Sequence, residues 1–178
     1  MKDKQALRKQ IRAIKLKVSE QDKQQQGAAV HALLEKSEVF KNAKAILMYW
    51  AMPDELPTQS FVNKWYTTKE IYLPVINGDD LKIVRYMGEE SLVPGDKYGI
   101  LEPAGEPIDN EQRIDMVVVP GVAFDTDNNR MGRGAGYYDR ILKRIPSAKK
   151  IALAFDFQMV EHVPVEAHDI KMDMVLSV

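Results

Sequence analysis

One segment of the sequence, Arg130–Arg140, combines glycines with arginines, tyrosines and an aspartate. Gly132, Gly134 and Gly136 stand at every second position, which leaves the backbone free to approach a ligand closely. Their N–H groups can converge on an anion, and a helix that begins just after them adds the positive end of its dipole. The segment therefore predicts a site for phosphate or carboxylate groups.

Charged side chains in the same segment fit this chemistry. Arg130 and Arg133 can each donate paired hydrogen bonds to phosphate or carboxylate oxygens, and Asp139 can hold a hydrated Mg²⁺ on the same phosphates. The spacing is neither that of a Walker loop, which needs a Gly-Lys pair, nor that of the dinucleotide-binding Gly-x-Gly-x-x-Gly motif. A glycine loop with solvated arginines is the alternative interpretation.

Further short motifs lie in order along the chain on both sides of this segment. They are Lys4–Arg8, Tyr49–Glu55, Tyr98–Pro103, Pro120–Asp125 and Val163–Asp173. Together with the glycine-rich segment, they make essentially the whole chain resemble the 5-formyltetrahydrofolate cyclo-ligase family, also called 5,10-methenyltetrahydrofolate synthetase. Each short motif alone is weak, but several in the family's order around a long signature are specific.

The resemblance implies a ligase that depends on ATP as co-substrate and on Mg²⁺. In that family the formyl oxygen of 5-formyltetrahydrofolate is phosphorylated, nitrogen 10 closes the ring and phosphate leaves, which yields 5,10-methenyltetrahydrofolate and ADP. Phosphoryl transfer depends on positioning and charge neutralisation more than on a covalent nucleophile. The chain fits this requirement, because it offers arginines, glycine amides and carboxylates but no cysteine.

The resemblance also assigns roles to individual residues. The catalytic residues would be Arg133 and Tyr137, and the magnesium ligands would be Asp139 and Asp169. The ATP-binding residues would be Lys4, Arg8, Arg130, Met131, Gly132, Arg133, Gly134, Ala135, Gly136, Tyr137 and Tyr138. The folate-binding residues would be Trp50, Glu55, Arg133, Gly134, Ala135, Gly136 and Tyr137.

The chemistry of the residues outside the glycine-rich segment agrees with these roles. Lys4 and Arg8 are one helical turn apart, so both can face one ligand. The Trp50 indole can pack on a pterin ring, and the Glu55 carboxylate can accept from its donor-rich edge. Without the resemblance, a solvated helix face, a core tryptophan and an exposed loop glutamate would be the more common interpretations.

Alternating strands and helices position these residues. Strands are predicted at 45–50, 71–76, 81–86, 115–120, 151–155 and 174–178, and residues 87–113 are predicted to be mostly loop. Helices are predicted over the first 18 residues, after Ser19, after Thr58 and at 137–145. The first helix would bury Leu7, Ile11, Ile14 and Val18, and Ser19 and Thr58 would cap the two that follow them.

This alternation predicts an α/β fold, with one three-layer α/β/α domain over residues 1–178 and a mostly parallel, Rossmann-like sheet. Ligands of such sheets bind at the carboxyl ends of the strands. The loop after Val119 leaves from such an end and leads into the glycine-rich segment, so we expect the site there.

Composition limits the class of protein. The chain has 178 residues with 45% apolar and 29% charged residues and a net charge of -1, which argues against bulk binding to nucleic acid or an anionic membrane. The absence of cysteine excludes disulfide scaffolds and thiolate metal sites. No segment has the apolar length of a membrane helix or a signal peptide. We therefore expect a cytoplasmic monomer that binds 5-formyltetrahydrofolate and ATP, without a nucleic-acid or membrane partner.

Two other functions remain open at this point. One is a different enzyme on a similar sheet that acts on sugar phosphates or acyl groups, and failure to bind ATP would favour it. The other is an RNA-binding module, which a steeply salt-dependent affinity for RNA would support. Its basic face would comprise Arg140, Lys143, Arg144, Lys149 and Lys150.

Overall fold

A six-stranded sheet forms the centre of the structure, a computed structural model that describes residues 2–178. In the order in which they pair, its strands are β10 (Met174–Leu176), β9 (Lys149–Leu153), β6 (Met116–Val118), β1 (Ala45–Leu47), β2 (Glu70–Asn77) and β3 (Asp80–Arg85). All neighbours are parallel except β2 and β3, which form an antiparallel hairpin. The predicted mostly parallel sheet is thereby confirmed, although several strands are shorter than the apolar runs that predicted them.

Helices cover both faces of this sheet. They are α1 (Lys2–Lys15), α2 (Glu20–Lys36), α3 (Glu38–Asn42), α4 (Gln59–Trp65) and α5 (Tyr137–Arg144). Successive strand residues point to opposite faces, so Ile46 packs with α2, α3 and α4, whereas Leu47 packs with α5. The predicted three-layer arrangement is confirmed. Every helix in the part of the chain that the structure describes is too short or too polar to cross a membrane.

Two small antiparallel ribbons, which were not predicted from the sequence, lie outside the central sheet. One pairs β4 (Leu92–Pro94) with β5 (Leu101–Pro103) inside the segment that was predicted to be mostly loop. The other pairs β7 (Ala123–Phe124) with β8 (Arg130–Met131) directly before the glycines. The second ribbon fixes the start of the glycine-rich segment relative to the sheet.

The two predicted helix caps differ in outcome. The Ser19 hydroxyl accepts a hydrogen bond from the Asp22 amide at 3.1 Å, so this cap of α2 is confirmed. Thr58 precedes α4, but its hydroxyl donates to the Tyr49 carbonyl and accepts from the Ala51 amide. The prediction of a side-chain cap at Thr58 is therefore wrong, because this hydroxyl instead satisfies the backbone after β1.

The buried face of α1 also differs from the prediction. Ile11 is buried against Ala123, Met131 and Val163, whereas Ile14 is exposed and α1 ends at Lys15. The helix packs over the β7–β8 ribbon. The apolar surface of this ribbon therefore helps to determine which face of α1 is buried, in addition to the spacing of the apolar residues in the helix. A face with basic residues is turned toward the loops at the carboxyl ends of the strands.

The order of the strands creates a crevice between β1 and β6. The chain passes from β1 to β2 on one side of β1, and then returns to place β6 on its other side. The loops that follow β1 and β6 therefore separate at this point. Such a topological switch is where open α/β sheets bind ligands. The loop after β6 leaves from it and leads through the β7–β8 ribbon to the glycine-rich segment.

Candidate active site

Two loops meet at the crevice through one arginine. We call residues 48–58 the β1 loop and residues 132–136 the glycine loop. Arg133 of the glycine loop places Nη2 2.7 Å from Oδ1 of Asp54 and 3.3 Å from Oε1 of Glu55, both in the β1 loop. The predicted phosphate-binding and folate-binding segments are thus brought into contact by Arg133 and Glu55.

Glu55 lies in a mostly buried position between the two loops. Its Oε2 accepts a hydrogen bond from the Met52 amide at 2.9 Å. Burial raises the pKa of Glu55, although the Met52 amide and the charge of Arg133 act in the opposite direction. The phenols of Tyr49 and Tyr138 lie near this carboxylate, and burial together with its charge raises the pKa of each. The Glu55 carboxyl group is therefore poorly solvated. Among the groups that shift its pKa, Arg133 is the one cation.

The glycine loop has the open backbone that its sequence predicted. Gly134 and Gly136 adopt φ values of 109° and 72°, which residues with a Cβ rarely adopt. Gly136 is the N-cap of α5 and has no side chain that could bond to the first turn. The N–H groups of that turn have no intrahelical acceptors, so they are available to an anion.

Arg130 and Asp139 form an ion pair at the base of this loop. The Arg130 side chain is only 4% exposed, and its Nη2 lies 2.9 Å from Oδ1 of Asp139. Its Nη1 donates to the Pro120 carbonyl at 3.1 Å, two residues after the end of β6. Arg130 therefore fastens the start of α5 to the central sheet. A contact of Arg130 with ATP stays a prediction.

Met131 lies beside Arg130 in β8, and its side chain is in the hydrophobic core under α1. Its backbone carbonyl accepts from the Val122 amide at 2.7 Å. The carbonyl of Ala135 accepts from Arg140 at 2.9 Å, which ties the glycine loop to α5. For these two predicted ATP-binding residues, the side chain of Met131 faces away from solvent and Ala135 is exposed.

Helix α1 supplies two basic side chains to the same region. Nε of Arg8 donates to the Gly132 carbonyl at 3.0 Å, so α1 directly contacts the glycine loop. Nζ of Lys4 lies 2.5 Å from Asp169 and 3.0 Å from Glu166. Burial opposes protonation of Lys4, but the bonds to these two carboxylates raise its pKa. The predicted ATP-binding residues of α1 are thus close to the glycine loop and to the C-terminal loop, which we define as residues 160–173.

The two predicted magnesium ligands are held in separate ion pairs, Asp139 with Arg130 and Asp169 with Lys4. Asp169 also belongs to the group of potential metal ligands found among residues 2–178, together with Glu166 and His168. The ligand atoms of this group lie within 4.8 Å of one another. Asp139 is not part of that group, so a magnesium site that joins both aspartates stays a prediction.

The remaining predicted residues, Tyr137 and Trp50, lie beside the β2–β3 hairpin and at the end of the β1 run. The Tyr137 hydroxyl donates to the Gly78 carbonyl at 3.2 Å, in the turn of the β2–β3 hairpin. Nζ of Lys97, from the turn between β4 and β5, lies 3.5 Å from the same hydroxyl. Trp50 packs on the core at the end of the β1 run, with its ring 5.7 Å from that of Tyr86. Trp50 is only partly buried, so one part of the indole remains accessible to a flat ligand.

Three residues that organise the site were not predicted from the sequence. Asp54 and Lys15 form an ion pair at 3.0 Å, and Asp54 also contacts Arg133. Asp125 is buried and accepts from the amides of three residues and from one side chain; these donors are Asp127, Asn129 and Val163. A sequence signal exists for Asp125 alone, because an aspartate that begins a polar turn favours such bonds to the backbone.

Two basic residues of the alternative RNA-binding face, Arg144 and Lys150, form ion pairs within the protein. Arg144 forms ion pairs with Asp80 and Glu111, and these contacts raise its pKa. Arg140 donates to the carbonyls of Asp79 and Ala135. The bonds of Arg140 go to neutral carbonyls, and Lys143 and Lys149 are exposed, so ion pairing removes only part of the positive charge of this face.

Comparisons with known proteins agree with the resemblance. The model of the 5-formyltetrahydrofolate cyclo-ligase family matches residues 1–178. A 5-formyltetrahydrofolate cyclo-ligase of Mus musculus is 32% identical over 151 residues, covering 77% of this chain and 74% of the relative. One of Haemophilus influenzae is 29% identical over 184 residues, covering 97% and 96%. The NMR structure of Aquifex aeolicus 5,10-methenyltetrahydrofolate synthetase has a TM-score of 0.87 at 33% identity, covering 97% of this chain and 88% of that one.

Proposed function

The chain belongs to the 5-formyltetrahydrofolate cyclo-ligase family and is an ATP-dependent ligase that acts on 5-formyltetrahydrofolate, and on that premise we propose how its residues carry out the reaction. The observation that supports the assignment is the reach of Arg133 from the glycine loop to Glu55 in the β1 loop. This contact joins the glycine loop, whose chemistry suits phosphate, to the β1 loop, whose residues suit a pterin ring. A reaction that transfers phosphate to a folate needs that proximity.

In the proposed first step, the formyl oxygen of the substrate attacks the γ-phosphorus of ATP. A new P–O bond forms as the bond to the leaving ADP breaks. In the second step the nitrogen at position 10 attacks the activated carbon, a C–N bond forms, the N10 proton is lost and the C–O bond to phosphate breaks. Phosphorylation is useful because an amide-like oxygen is a poor leaving group, whereas phosphate is a good one.

Arg133 is the proposed catalytic cation for the phosphoryl transfer. Its side chain is 48% exposed, in contrast to the buried Arg130. Within residues 2–178 both of its ion pairs use Nη2, which leaves Nε and Nη1 for an anionic ligand. Charge-assisted hydrogen bonds from such a fork stabilise the charge on transferring phosphate oxygens. Tyr137, the first residue of α5, is the second proposed catalytic residue.

The ATP subsite is proposed to lie between α1 and the glycine loop. Arg8 already contacts the Gly132 carbonyl, and Lys4 lies on the same side of the helix. The amides after Gly136 add neutral donors and the dipole of α5. The triphosphate would therefore be surrounded by Lys4, Arg8 and the backbone from Arg130 to Tyr138.

The folate subsite is proposed to lie on the other side of Arg133. Trp50 offers an aromatic face, and Glu55 offers acceptor oxygens to the amino-pyrimidine edge of the pterin. Since burial raises the pKa of Glu55, its carboxyl group is sensitive to the donors that a ligand brings. The glycine loop from Arg133 to Tyr137 would line both subsites.

Magnesium is proposed to accompany ATP, and the donor chemistry fits it. Asp139 and Asp169 offer carboxylate oxygens, which Mg²⁺ prefers, and Glu166 lies next to Asp169. The metal would neutralise charge on the phosphate oxygens. In this structure the ammonium group of Lys4 forms ion pairs with Asp169 and Glu166. Phosphate is a suitable alternative partner for that group.

The proposal is tested by spectrophotometric detection of methenyltetrahydrofolate from the purified chain. We expect product only with both ATP and Mg²⁺, with ADP and phosphate formed in equal amounts. Turnover without nucleotide, or AMP as a product, would contradict the mechanism. We also propose that the chain acts as a monomer without nucleic acid or membrane, which light scattering during turnover would check.

A further inference from the structure

Asp54 lies between two cations that come from different parts of the chain. Its Oδ2 is 3.0 Å from Nζ of Lys15 at the end of α1, and its Oδ1 is 2.7 Å from Nη2 of Arg133. Burial acts to raise the pKa of Asp54, but the hydrogen bonds from Arg133 and Lys15 outweigh it and lower that pKa. The carboxylate is therefore ionised, and each of its oxygens faces a different cation.

Lys15 is the more firmly held of the two cations. Its side chain is 13% exposed, and it lies on the face of α1 that also bears Lys4, Arg8 and the buried Ile11. These positions are separated by four, three and four residues, which is the spacing of one helical face. The docking of α1 therefore fixes Lys15, and Lys15 in turn fixes one oxygen of Asp54.

The side-chain conformation of Arg133 must be restrained by residues outside the glycine loop, because its neighbours in that loop do not restrain it. The residues on both sides of it, Gly132 and Gly134, have no side chains that could restrict its rotamers. An unsupported arginine loses much conformational freedom when it is brought to a fixed place. Asp54 restrains the guanidinium through Nη2 alone, so the restraint leaves Nε and Nη1 free.

We infer that Asp54, held by Lys15, is a positioning residue that fixes the Arg133 guanidinium for phosphoryl transfer. Asp54 itself touches no substrate in this assignment, and it acts only through Arg133. The inference rests on the proposed function of Arg133, and it adds two residues to which the family resemblance assigned no role. It also gives α1 a second task besides binding ATP, since the helix orients the catalytic arginine through Lys15.

The first test is a double-mutant cycle between Asp54 and Arg133. In it, kcat/KM is measured for ATP and for 5-formyltetrahydrofolate, each with the other substrate at saturation. Asp54→Ala should lower kcat/KM by about tenfold or more in the wild-type background, because a misplaced catalytic group is far less effective. In the Arg133→Ala background the same change should have almost no effect, since nothing remains to be positioned. Additive losses in the two backgrounds would overturn the inference, as would full activity of Asp54→Ala.

The second test concerns the anchor on α1. Lys15→Met should reproduce most of the loss in kcat/KM caused by Asp54→Ala. Lys15→Arg keeps the positive charge and should therefore retain most of the wild-type activity. A merely structural role would make Lys15→Arg and Lys15→Met similar, and that result would overturn the inference. Glu38→Ala is the matched control, because it removes another ion-paired carboxylate, whose partner Lys41 lies on the short helix α3. This variant should keep the wild-type rate.

Two further measurements, thermal unfolding and wild-type turnover, show which hypothesis has failed if the expected results are not obtained. Thermal unfolding should be the same for Asp54→Ala and the wild type, because half-exposed ion pairs contribute little to stability. Absence of turnover in the wild-type protein would overturn the proposed function, and this inference with it. Normal wild-type turnover combined with additive losses would overturn the positioning role alone.

Discussion

The Nζ atom of Lys4 lies 2.5 Å from Oδ2 of Asp169, although 165 residues separate the two in the chain. Through this ion pair, the first helix holds a loop close to the C-terminal end. Lys4 is a proposed ligand of ATP and Asp169 a proposed ligand of magnesium. We therefore expect MgATP to provide both side chains with new partners, phosphate for the ammonium group and the metal for the carboxylate.

The first prediction concerns this pair. Lys4→Met should raise the KM for ATP by about 10- to 100-fold, because a charge-assisted hydrogen bond contributes roughly 1.5–3 kcal/mol. The KM for 5-formyltetrahydrofolate should change little, and steady-state kinetics with the other substrate saturating will measure both. Lys9→Met removes an exposed lysine of the same helix and serves as the control. Equal changes in the two KM values would contradict the assignment.

The second prediction concerns Arg133, the proposed catalytic cation. Arg133→Ala should lower kcat/KM by at least about 100-fold, since donors aimed at a transferring group contribute roughly 3 kcal/mol. Its free energy of unfolding in urea should equal that of the wild type, because Arg133 is half-exposed. Arg113→Ala, an exposed arginine paired with Glu70, is the control and should keep its activity.

Asp139→Asn should behave differently from Arg133→Ala. The substitution removes a proposed metal ligand and also weakens the anionic partner of the buried Arg130. We expect loss of activity together with a loss of about 1–3 kcal/mol in the free energy of unfolding. An inactive variant with wild-type stability would show that the ion pair does not fasten α5 to the sheet.

The next prediction distinguishes the two substrate subsites. Glu55→Gln should raise the KM for 5-formyltetrahydrofolate, because an amide donor then faces other donors at a cost of about 1–3 kcal/mol. Arg8→Ala should instead raise the KM for ATP. Titration of each substrate against each variant will measure the difference. If Glu55→Gln weakened ATP binding and spared the folate, the subsites would be wrongly assigned even with the overall activity present.

Another prediction concerns the pH dependence of stability. Burial opposes ionisation of Asp125, but its hydrogen bonds with Asn129, Val163 and Asp127 outweigh this and lower its pKa below the ordinary 3.8. A lowered pKa in the folded state stabilises the protein above about pH 4, and this contribution is lost as the pH falls through the folded-state value. Asp125→Asn should reduce stability near neutral pH and make its acid-side decrease shallower, as measured by urea unfolding between about pH 3 and pH 7. An unchanged acid-side slope would contradict the prediction.

The sheet could be predicted well from the sequence. The apolar runs 45–49 and 116–119 are buried in a mostly parallel sheet that is covered on both faces, and this burial leaves a strong local pattern. The predicted buried face of α1 is only partly right, because Ile11 is buried and Leu7 packs beside it, whereas Ile14 is exposed and the helix ends before Val18. The basic residues Lys4 and Lys15 instead contact the loops. A basic residue that binds another part of the chain has no periodic signal of its own.

The candidate site was predictable by residue type and not by contact. The glycines and arginines of the glycine-rich segment indicated a phosphate site through their chemistry and spacing alone. Whether an arginine in that segment is buried, as Arg130 is, or half-exposed, as Arg133 is, depends on packing against β6 and α5. The pairing of Asp54 with Lys15 depends on how α1 docks, which no neighbouring residue in the sequence reveals.

The docking of α1 also determines when the site can form during synthesis. This helix leaves the ribosome long before the residues that it packs against and binds, which lie between Ala123 and Asp169. Contacts of such long sequence separation form slowly, because a large loop must close before they stabilise anything. A nascent chain that has completed β1, β2 and β3 still lacks these later partners of α1. The proposed nucleotide subsite should therefore be among the last parts of the molecule to assemble. Refolding monitored by ATP binding should lag behind refolding monitored by tryptophan fluorescence.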